Sequence, residues 1–428
     1  MDLSRRKRCP LDPAADPVEE ARQLRSLGSL VPVELPGGVA AWAATDHATA
    51  QTILGHEDLT KDPACWPDLN QGRIPDDWDL IALVRGAAML HQGGWEHRRL
   101  RQLVSTAFTR APIEALRPRI EQIADELLKN LDTAASGETA DLREQYAYPL
   151  PVRVICEVLG VPDTAVSDLR HSFHRLVTPR ESISAEEDIR TAQTDIFTSL
   201  TALIETKRSR PGNDLTTALI QARDHDDRLS QQELVETLFL ILIAGHETTI
   251  NSITNTAYAL LQNPTMVATA LGSHDPDAAW EAAADEGLRY ASPVRHALLR
   301  YAVKDVEIAG VRVAQGDPVL ASLVAAGRDA TRHENPDTFD INRPTRREHL
   351  AFGFGAHYCL GARLAKLETK IALQALFTRY PAITLAAEPQ RLTSIPLQGY
   401  AALPVHMTGR TPQPPGSKTC PAHNAAHA

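Results

Sequence analysis

The most constraining stretch of the sequence is residues 352–361, FGFGAHYCLG, where a cysteine ends a glycine-rich loop and immediately precedes a helical pattern. Gly353, Gly355 and Gly361 allow sharp backbone turns or the close approach of a flat group. Apolar residues recur at helical spacing after Cys359, which predicts a helix. Its free N–H groups and positive dipole end would face the sulfur and favour the thiolate, the form of cysteine that binds metals.

The residues alone leave two interpretations of Cys359. A lone cysteine is usually a small buried hydrophobic residue. The loop, however, resembles the cysteine-loop signature of the cytochrome P450 superfamily, whose four positions are filled by Phe352, Gly355, Cys359 and Gly361. In that family a cysteine thiolate holds the haem iron. The resemblance implies that Cys359 is the axial iron ligand. It also implies that Phe352 packs near the sulfur, that Gly361 belongs to the haem-binding loop, and that His357 reaches a haem propionate.

A basic amphipathic pattern follows residue 96 and predicts a helix. His97 and Arg101 are four residues apart and therefore share one helix face. Such a face is most often simply solvated. It also resembles the family's helix in which a histidine and an arginine hold a haem propionate through charge-assisted hydrogen bonds. The resemblance implies one further propionate donor, Arg300, on the strand that begins near Pro293, with Arg295 as the alternative.

A long helical pattern begins at a capping box, Ser230 to Glu233, and continues to about Gln262. At roughly 1.5 Å per residue, such a helix can cross a whole domain. Its centre contains an acid and two alcohols, which cost free energy in a buried helix unless they are paired. A zinc-protease motif is excluded, because His246 and the acid after it are followed by Ile250 where the second histidine would stand.

The centre of this helix, residues 244–249, has the sequence AGHETT and resembles the family's distal oxygen-binding motif. The resemblance makes Ala244, Gly245, Glu247 and Thr248 the candidate catalytic residues. Gly245 would leave room for O2, Thr248 would hydrogen-bond the oxygen, and Glu247 would relay protons. A threonine that only bonds back to a helix carbonyl is compatible with the same sequence.

Glu286 and Arg289 are three residues apart on the next strong helical pattern. An exposed pair of this kind contributes only tenths of a kcal/mol. The pair nevertheless matches the family's Glu-x-x-Arg motif, and the resemblance implies Arg343 as its third member. We expect these three residues to be structural.

The length of 428 residues would ordinarily suggest two or three domains, but the resemblance implies one. We expect residues 21–408 to form a mainly α domain with small β-regions. This is the cytochrome P450 fold, a triangular, helix-rich single domain with haem between the long distal helix and the proximal cysteine loop. Residues 165–200 would cover the substrate cavity. Residues 1–20 are expected to be a flexible N-terminal arm, and residues 409–428 a disordered tail.

Charge and hydropathy exclude several functions. The formal net charge of −10 argues against general nucleic-acid binding. The longest apolar run, residues 238–244, is far shorter than the roughly 18 residues of a membrane span. The first residues lack an apolar signal core. The five scattered cysteines suit a reducing compartment. We therefore expect a cytoplasmic protein with no membrane span and no nucleic-acid partner.

The resemblance implies haem b (iron protoporphyrin IX) as the cofactor and reductive activation of O2 as the activity. One oxygen atom would enter a small hydrophobic organic substrate, and the other would leave as water. Nothing in the chain resembles a fused flavin or iron–sulfur module, so NAD(P)H electrons are expected to arrive through ferredoxin reductase and ferredoxin. Basic residues that could dock this partner are Arg98, Arg99, Arg110, Arg363 and Lys366.

The substrate class and reaction type are less constrained. The sequences of residues 286–294 and 349–353 resemble those of actinobacterial family members that hydroxylate steroids or natural products of secondary metabolism. One alternative is oxidative C–C or C–O coupling of aromatic substrates, such as cyclic dipeptides, by the same haem. An alternative of another class is a non-catalytic haem-thiolate protein that binds a ligand. The intact pair of Glu247 and Thr248 disfavours that alternative.

Overall fold

The structure is a computed structural model. It describes residues 3 and 6–408, apart from 87, 106–107, 135–138, 163–171, 173–183 and 225–228. The expected tail at 409–428 and much of the expected cavity cover at 165–200 lie outside the described residues.

Helices form most of the described chain, as the sequence predicts. Their bounds are α1 Pro17–Leu27, α2 His47–Gly55, α3 Pro67–Asn70, α4 Gly94–Ser105, α5 Arg110–Ala115, α6 Arg117–Ala134, α7 Pro149–Leu159, α8 Ser184–Ser209, α9 Leu215–Asp224, α10 Gln231–Gln262, α11 Pro264–Leu271, α12 Pro276–Tyr290, α13 Leu323–Gly327 and α14 Ala362–Arg379. The largest hydrophobic core is built mainly from α6, α7, α10, α12 and α14.

The β-regions are small. The strands are β1 Cys9–Pro10, β2 Leu30–Leu35, β3 Val39–Ala44, β4 Leu59–Thr60, β5 Thr139–Asp141, β6 His296–Ala302, β7 Val306–Ile308, β8 Val311–Val313, β9 Pro318–Ser322, β10 Thr384–Leu385 and β11 Pro404–His406. One sheet has the order β1-β2-β3-β9-β6-β4, a second has the order β10-β11-β5, and β7 and β8 form a hairpin. The sequence of residues 306–313 predicts a hairpin with Gly310 at its turn, and the hairpin does turn at Ala309 and Gly310, both with positive φ.

Helix α10 is the long helix that the sequence predicts. The Ser230 side chain accepts from the Glu233 N–H, and the Glu233 carboxylate accepts from the Ser230 N–H, so the predicted capping box is confirmed. The helix packs against α7, α12 and α14. Thr369 of α14 donates to Ser252 of α10 at 3.0 Å, between two buried side chains. The helix that follows the cysteine loop is therefore fixed directly to the long helix.

The expectation of a flexible arm at residues 1–20 needs correction for its described part. Strand β1 pairs with β2, and Leu11 is buried. Asp16 caps α1 by accepting from two backbone N–H groups, and Pro17 occupies the first helical turn. Glu20 is buried against Arg295 and His296. Strand pairing, a helix cap and a buried ion pair thus join this segment to the domain.

No helix in the described part of the chain is long and apolar enough to cross a membrane, as predicted. The cytoplasmic location stays a prediction.

Candidate active site

The centre of α10 is more exposed to solvent than the turns that follow it. Residues 249–257 are buried, whereas Ala244 is exposed and Thr248, one turn later, is partly exposed. These two residues lie on the same helix face. Thr248 Oγ1 donates to the Ala244 carbonyl oxygen at 2.7 Å. The back-bonding compatible with the sequence is therefore present, and the hydroxyl oxygen still has lone pairs that can accept from another group.

Gly245 lies close to helix α7. A Cβ built at this position would lie 3.3 Å from Ile155 Cδ1, on helix α7. This is tighter than an ordinary contact, so the missing side chain allows α7 and α10 to pack closely. The expectation that Gly245 leaves room for O2 stays a prediction.

Glu247 is held by two side chains. Its Oε1 accepts from Arg143 Nη2 at 2.6 Å and from Asn251 Nδ2 at 3.2 Å. Arg143 also donates through Nη1 to Asn251 Oδ1 at 2.8 Å. Both charged side chains are only 12% exposed, so water screens this ion pair weakly. Among the described residues, the buried Oε2 of Glu247 has no hydrogen-bond partner.

Arg143 was not identified from the sequence. It begins a five-residue π-helical turn, Arg143–Ala147, that leads into α7. Such turns are uncommon and occur frequently at functional sites. The arginine is 104 positions from its carboxylate partner, and nothing in the surrounding sequence marks it. Only the packing of this turn against α10 brings the two together.

The cysteine loop has the sharp turns that its glycines predict. Gly353 and Gly355 have φ of 72° and 74°, a region that side chains rarely adopt. The Cys359 N–H donates to the Phe352 carbonyl oxygen at 2.9 Å, which closes the loop. Gly361 caps α14 without a positive φ. A Cβ on Gly361 would approach the Cys359 sulfur at 3.9 Å, an ordinary contact.

The Cys359 side chain has accessible surface, yet protein surrounds its sulfur. Burial raises the pKa of the thiol, and the backbone N–H groups of Gly361 and Ala362 and the charge of Arg101 offset only part of this rise. The predicted helix-end donors are therefore present, but they do not favour the thiolate by themselves. A bound metal ion would have to supply the remaining stabilisation, because coordination deprotonates a thiol.

The four candidate propionate residues lie in one electrostatic cluster. The rings of His97 and His357 are 3.9 Å apart. Arg101 Nη2 donates to the Tyr358 carbonyl oxygen at 2.5 Å. Burial lowers the pKa of His357 to about 2, with His97, Arg300 and Arg101 among the charges that add to the effect. The structure thus gathers the four predicted residues around one region, although they come from three distant segments.

Arg300 and Arg295 have different partners. Arg300 is buried and donates to the Leu54 carbonyl oxygen at 3.2 Å, and burial lowers the pKa of its guanidinium to about 10. Arg295 instead forms a buried ion pair with Glu20 at 2.6 Å. The structure therefore places Arg300 in the cluster, while Arg295 anchors the N-terminal segment.

Glu286 forms a buried ionic network with two arginines, as the resemblance implied. Glu286 and Arg289 are fully buried and 2.7 Å apart, and Arg343 Nε lies 3.2 Å from the same carboxylate oxygen. Arg289 also donates to the carbonyl oxygens of Gly327 and Pro336, both at 2.8 Å. This network joins α12 to the segment that precedes the cysteine loop, so its role is structural.

The donor set fits a haem. Cys359 offers a single sulfur ligand, and among the described residues no group of three or more His, Cys, Asp or Glu side chains could hold a separate metal ion. Arg101 and Arg300 donate to backbone carbonyl oxygens, and within the described chain neither forms an ion pair with a carboxylate. They can therefore bind the two propionates of a haem through charge-assisted bonds.

Comparisons with known proteins agree with this geometry. The family model described as Cytochrome P450 matches residues 71–270 and 280–397. The chain is 40% identical to a 2-hydroxy-5-methyl-1-naphthoate 7-hydroxylase of Streptomyces carzinostaticus, covering 94% of this chain and 98% of that protein. It is 37% identical to the 6-deoxyerythronolide B hydroxylase of Saccharopolyspora erythraea, covering 90% and 95%.

Solved structures show the same relationship. The tirandamycin C-bound monooxygenase TamI superposes with a TM-score of 0.83 at 36% identity, covering 94% of this chain and 100% of that one. CYP154C4 from Streptomyces superposes with a TM-score of 0.87 at 36% identity, covering 95% and 100%. The chain belongs to the cytochrome P450 family and is a haem-thiolate monooxygenase of the bacterial type.

Proposed function

We propose that this monooxygenase hydroxylates a small hydrophobic natural product. The observation that carries the proposal is the exposed face at the centre of α10, where Thr248 is partly accessible and directly follows a carboxylate held by Arg143. Two relatives are named as hydroxylases of 2-hydroxy-5-methyl-1-naphthoate and of 6-deoxyerythronolide B, and one neighbour is bound to tirandamycin C. These compounds support a natural-product substrate, and a steroid-like compound stays in the test panel.

The haem, when bound through Cys359, supplies the reductive activation of O2. The chain's own residues have to exclude bulk water and deliver protons. The overall reaction consumes substrate, O2, two electrons and two protons, and it gives hydroxylated product and water. The two protons must reach the site from solvent, because they are consumed in addition to the substrate and O2.

We assign proton delivery to Thr248 and Glu247. The Thr248 hydroxyl can rotate away from the Ala244 carbonyl and donate its proton on the exposed side of the helix. It can then accept a replacement proton. Glu247 lies next to it, with Oε1 fixed by Arg143 and Oε2 available to accept and pass on a proton. Arg143 positions this carboxylate. A well-placed proton donor typically contributes about 10²–10⁴-fold to a rate.

We propose ferredoxin as the electron donor, with a docking patch smaller than the five residues predicted from the sequence. Arg99 forms ion pairs with Glu96 and Glu233. Lys366 lies 2.7 Å from Asp285. Both cations are therefore neutralised within the chain. Arg98, Arg110 and Arg363 are exposed, and they form the revised patch. Reversing the charge of these three residues should slow reduction by ferredoxin and leave reduction by dithionite unchanged.

Substrate identity is tested by a binding screen. Naphthoates, macrolide aglycones, tetramic acids such as tirandamycin, and steroids are titrated into the haem-containing protein. Binding is followed by the Soret band, and turnover products of the binders are identified by mass spectrometry. A product that gains one oxygen atom supports the proposal.

Other products would contradict the proposal. A coupled product that has lost two hydrogen atoms and gained no oxygen would replace it with oxidative ring coupling. Binding of several compounds without turnover by any ferredoxin system would count against hydroxylation. The family relationship already disfavours a non-catalytic ligand-binding role.

A further inference from the structure

Lys61 is a basic residue that the sequence motifs do not include, and it lies beside the propionate cluster. It directly follows β4, which pairs antiparallel with β6 through Thr60 and Tyr301. If that register continues by one residue, Lys61 stands opposite Arg300, and directly opposite residues project to the same face of a sheet. Lys61 Nζ donates to the carbonyl oxygen of Leu298, also on β6, at 2.5 Å.

A positive charge, that of the neighbouring Arg300, acts on the Lys61 ammonium. Burial lowers the pKa of its ammonium to about 7, and the charge of Arg300 adds to this effect. Lys61 in turn helps to lower the pKa of His91 and of His357. Within the described chain, no carboxylate forms an ion pair with Lys61. Its side chain is nevertheless partly accessible.

A departure from the family's usual sequence explains how Lys61 reaches this position. The proline-rich lead-in to the propionate helix is replaced here by residues 92–96, QGGWE. A Cβ on Gly93 would lie 2.2 Å from Thr60 Oγ1, so a side chain there would force the Thr60 hydroxyl to move. The Gly93 carbonyl oxygen accepts from the His97 N–H at 3.2 Å. The glycine therefore lets the chain just before Lys61 press against the first turn of the helix that carries His97.

A buried cation without an anionic partner destabilises a protein, because it loses its hydration and the protein interior offers little in exchange. A bound anion that pairs with the cation makes the same arrangement favourable. A haem brings two carboxylates, and the cluster around His357 is where the residues predicted to bind them lie. Lys61 has three donor hydrogens, and the Leu298 carbonyl uses only one of them.

We propose that Lys61 is a further propionate-binding residue of the haem site and donates to a carboxylate of the cofactor beside Arg300. The inference rests on haem binding in the proposed function. It adds a fifth hydrogen-bond donor to His97, Arg101, Arg300 and His357.

The test is the rate at which the haem-containing protein loses its haem to excess apomyoglobin, followed at the Soret band. Lys61→Met keeps the aliphatic stem and removes the charge. We expect haem loss about 10- to 100-fold faster, the range for one buried charge-assisted bond. Lys61→Arg should stay near the wild-type rate. Lys304→Met is the matched control, because Lys304 is exposed, pairs with Asp58 and lies just after β6, the strand that pairs with β4; its rate should not change.

A second arm replaces haem by its dimethyl ester during cell-free synthesis, so that both propionates are uncharged. The difference between wild type and Lys61→Met should then largely disappear. Equal haem-loss rates for Lys61→Met and Lys304→Met would overturn the proposal. An equally large difference with haem and with the ester, or failure of both Lys61 variants to give folded protein, would assign Lys61 to packing instead. A wild-type protein without a Soret band would refute haem binding itself, a result distinct from these.

Discussion

The most informative perturbation is Thr248→Ala, because the structure separates its effect on stability from its effect on proton delivery. The substitution removes one hydrogen bond, from Thr248 Oγ1 to the Ala244 carbonyl, at a partly exposed position. A bond of this kind contributes about 0.5–1.5 kcal/mol at most. The helix is otherwise held by its buried turns and its capping box. The variant should therefore fold, keep its haem and bind substrate.

The expected effect on catalysis is larger. Loss of a positioned proton donor corresponds to about 10²–10⁴-fold, or roughly 2.7–5.5 kcal/mol in the barrier. NAD(P)H should still be consumed, but its electrons should appear as hydrogen peroxide, because reduced oxygen leaves before it is protonated for cleavage. The assay measures product formed per NAD(P)H consumed, with hydrogen peroxide quantified in the same samples. Added hydrogen peroxide should restore part of the product.

Thr249 provides the matched control within the same helix. Its hydroxyl also bonds back one turn, to the Gly245 carbonyl at 3.0 Å, but its side chain is buried. Thr249→Ala should lower stability without changing the product ratio, and Thr248→Ser should keep the ratio near the wild-type value. A product ratio in Thr248→Ala equal to that of wild type would refute the role of Thr248. A hydroxyl of the substrate would then be the leading candidate for the proton donor.

Three further predictions follow from the site and its supporting network. Cys359→His should abolish the red-shifted Soret band of the reduced carbon monoxide complex, and its retention in Cys359→Ser would refute thiolate ligation. Arg343→Met should lower the free energy of unfolding by about 3–5 kcal/mol in urea titrations, because it leaves the buried Glu286 carboxylate undercompensated; a loss below about 1 kcal/mol would contradict this. Burial lowers the pKa of His333 to about 3. As the pH falls below about 6.5, this histidine therefore binds a proton in the unfolded chain before it does so in the folded protein, and the free energy of unfolding decreases. His333→Asn should reduce the change in urea midpoint between about pH 7.5 and about pH 5, and an unchanged pH dependence would exclude His333 as a source.

The long helix and the hairpin could be predicted because their signals are local. A capping box, a helical period and a terminating Asn263 define α10 without reference to the rest of the chain. The N-terminal segment was wrongly expected to be flexible, although Asp16 and Pro17 form a clear helix start. Its polar composition outweighed that signal, and its stabilising contact, Glu20 with Arg295, joins positions 275 residues apart.

The site could be predicted only where a family motif exists. His97, Arg101, His357 and Cys359 were identified by their resemblance to family motifs, and the structure brings them into one region. Gly245 was identified in the same way, but its contact with Ile155 was not, because Ile155 comes from α7. A sequence does not show which neighbouring helix a glycine faces. The accessible face of Thr248 likewise depends on the packing of the surrounding helices.

The structure shows which buried cations have a carboxylate partner within the chain, and no sequence pattern shows this. Arg143 finds its carboxylate within the chain, in Glu247, so its charge is compensated before any cofactor binds. Among the described residues, the partners of Arg300 and Lys61 are backbone carbonyl oxygens. A carbonyl dipole compensates a buried charge less well than a carboxylate does, so a bound anion stabilises these two residues far more than it stabilises Arg143. Removing Arg143 should therefore affect proton delivery and leave haem retention unchanged, whereas removing Lys61 should do the reverse.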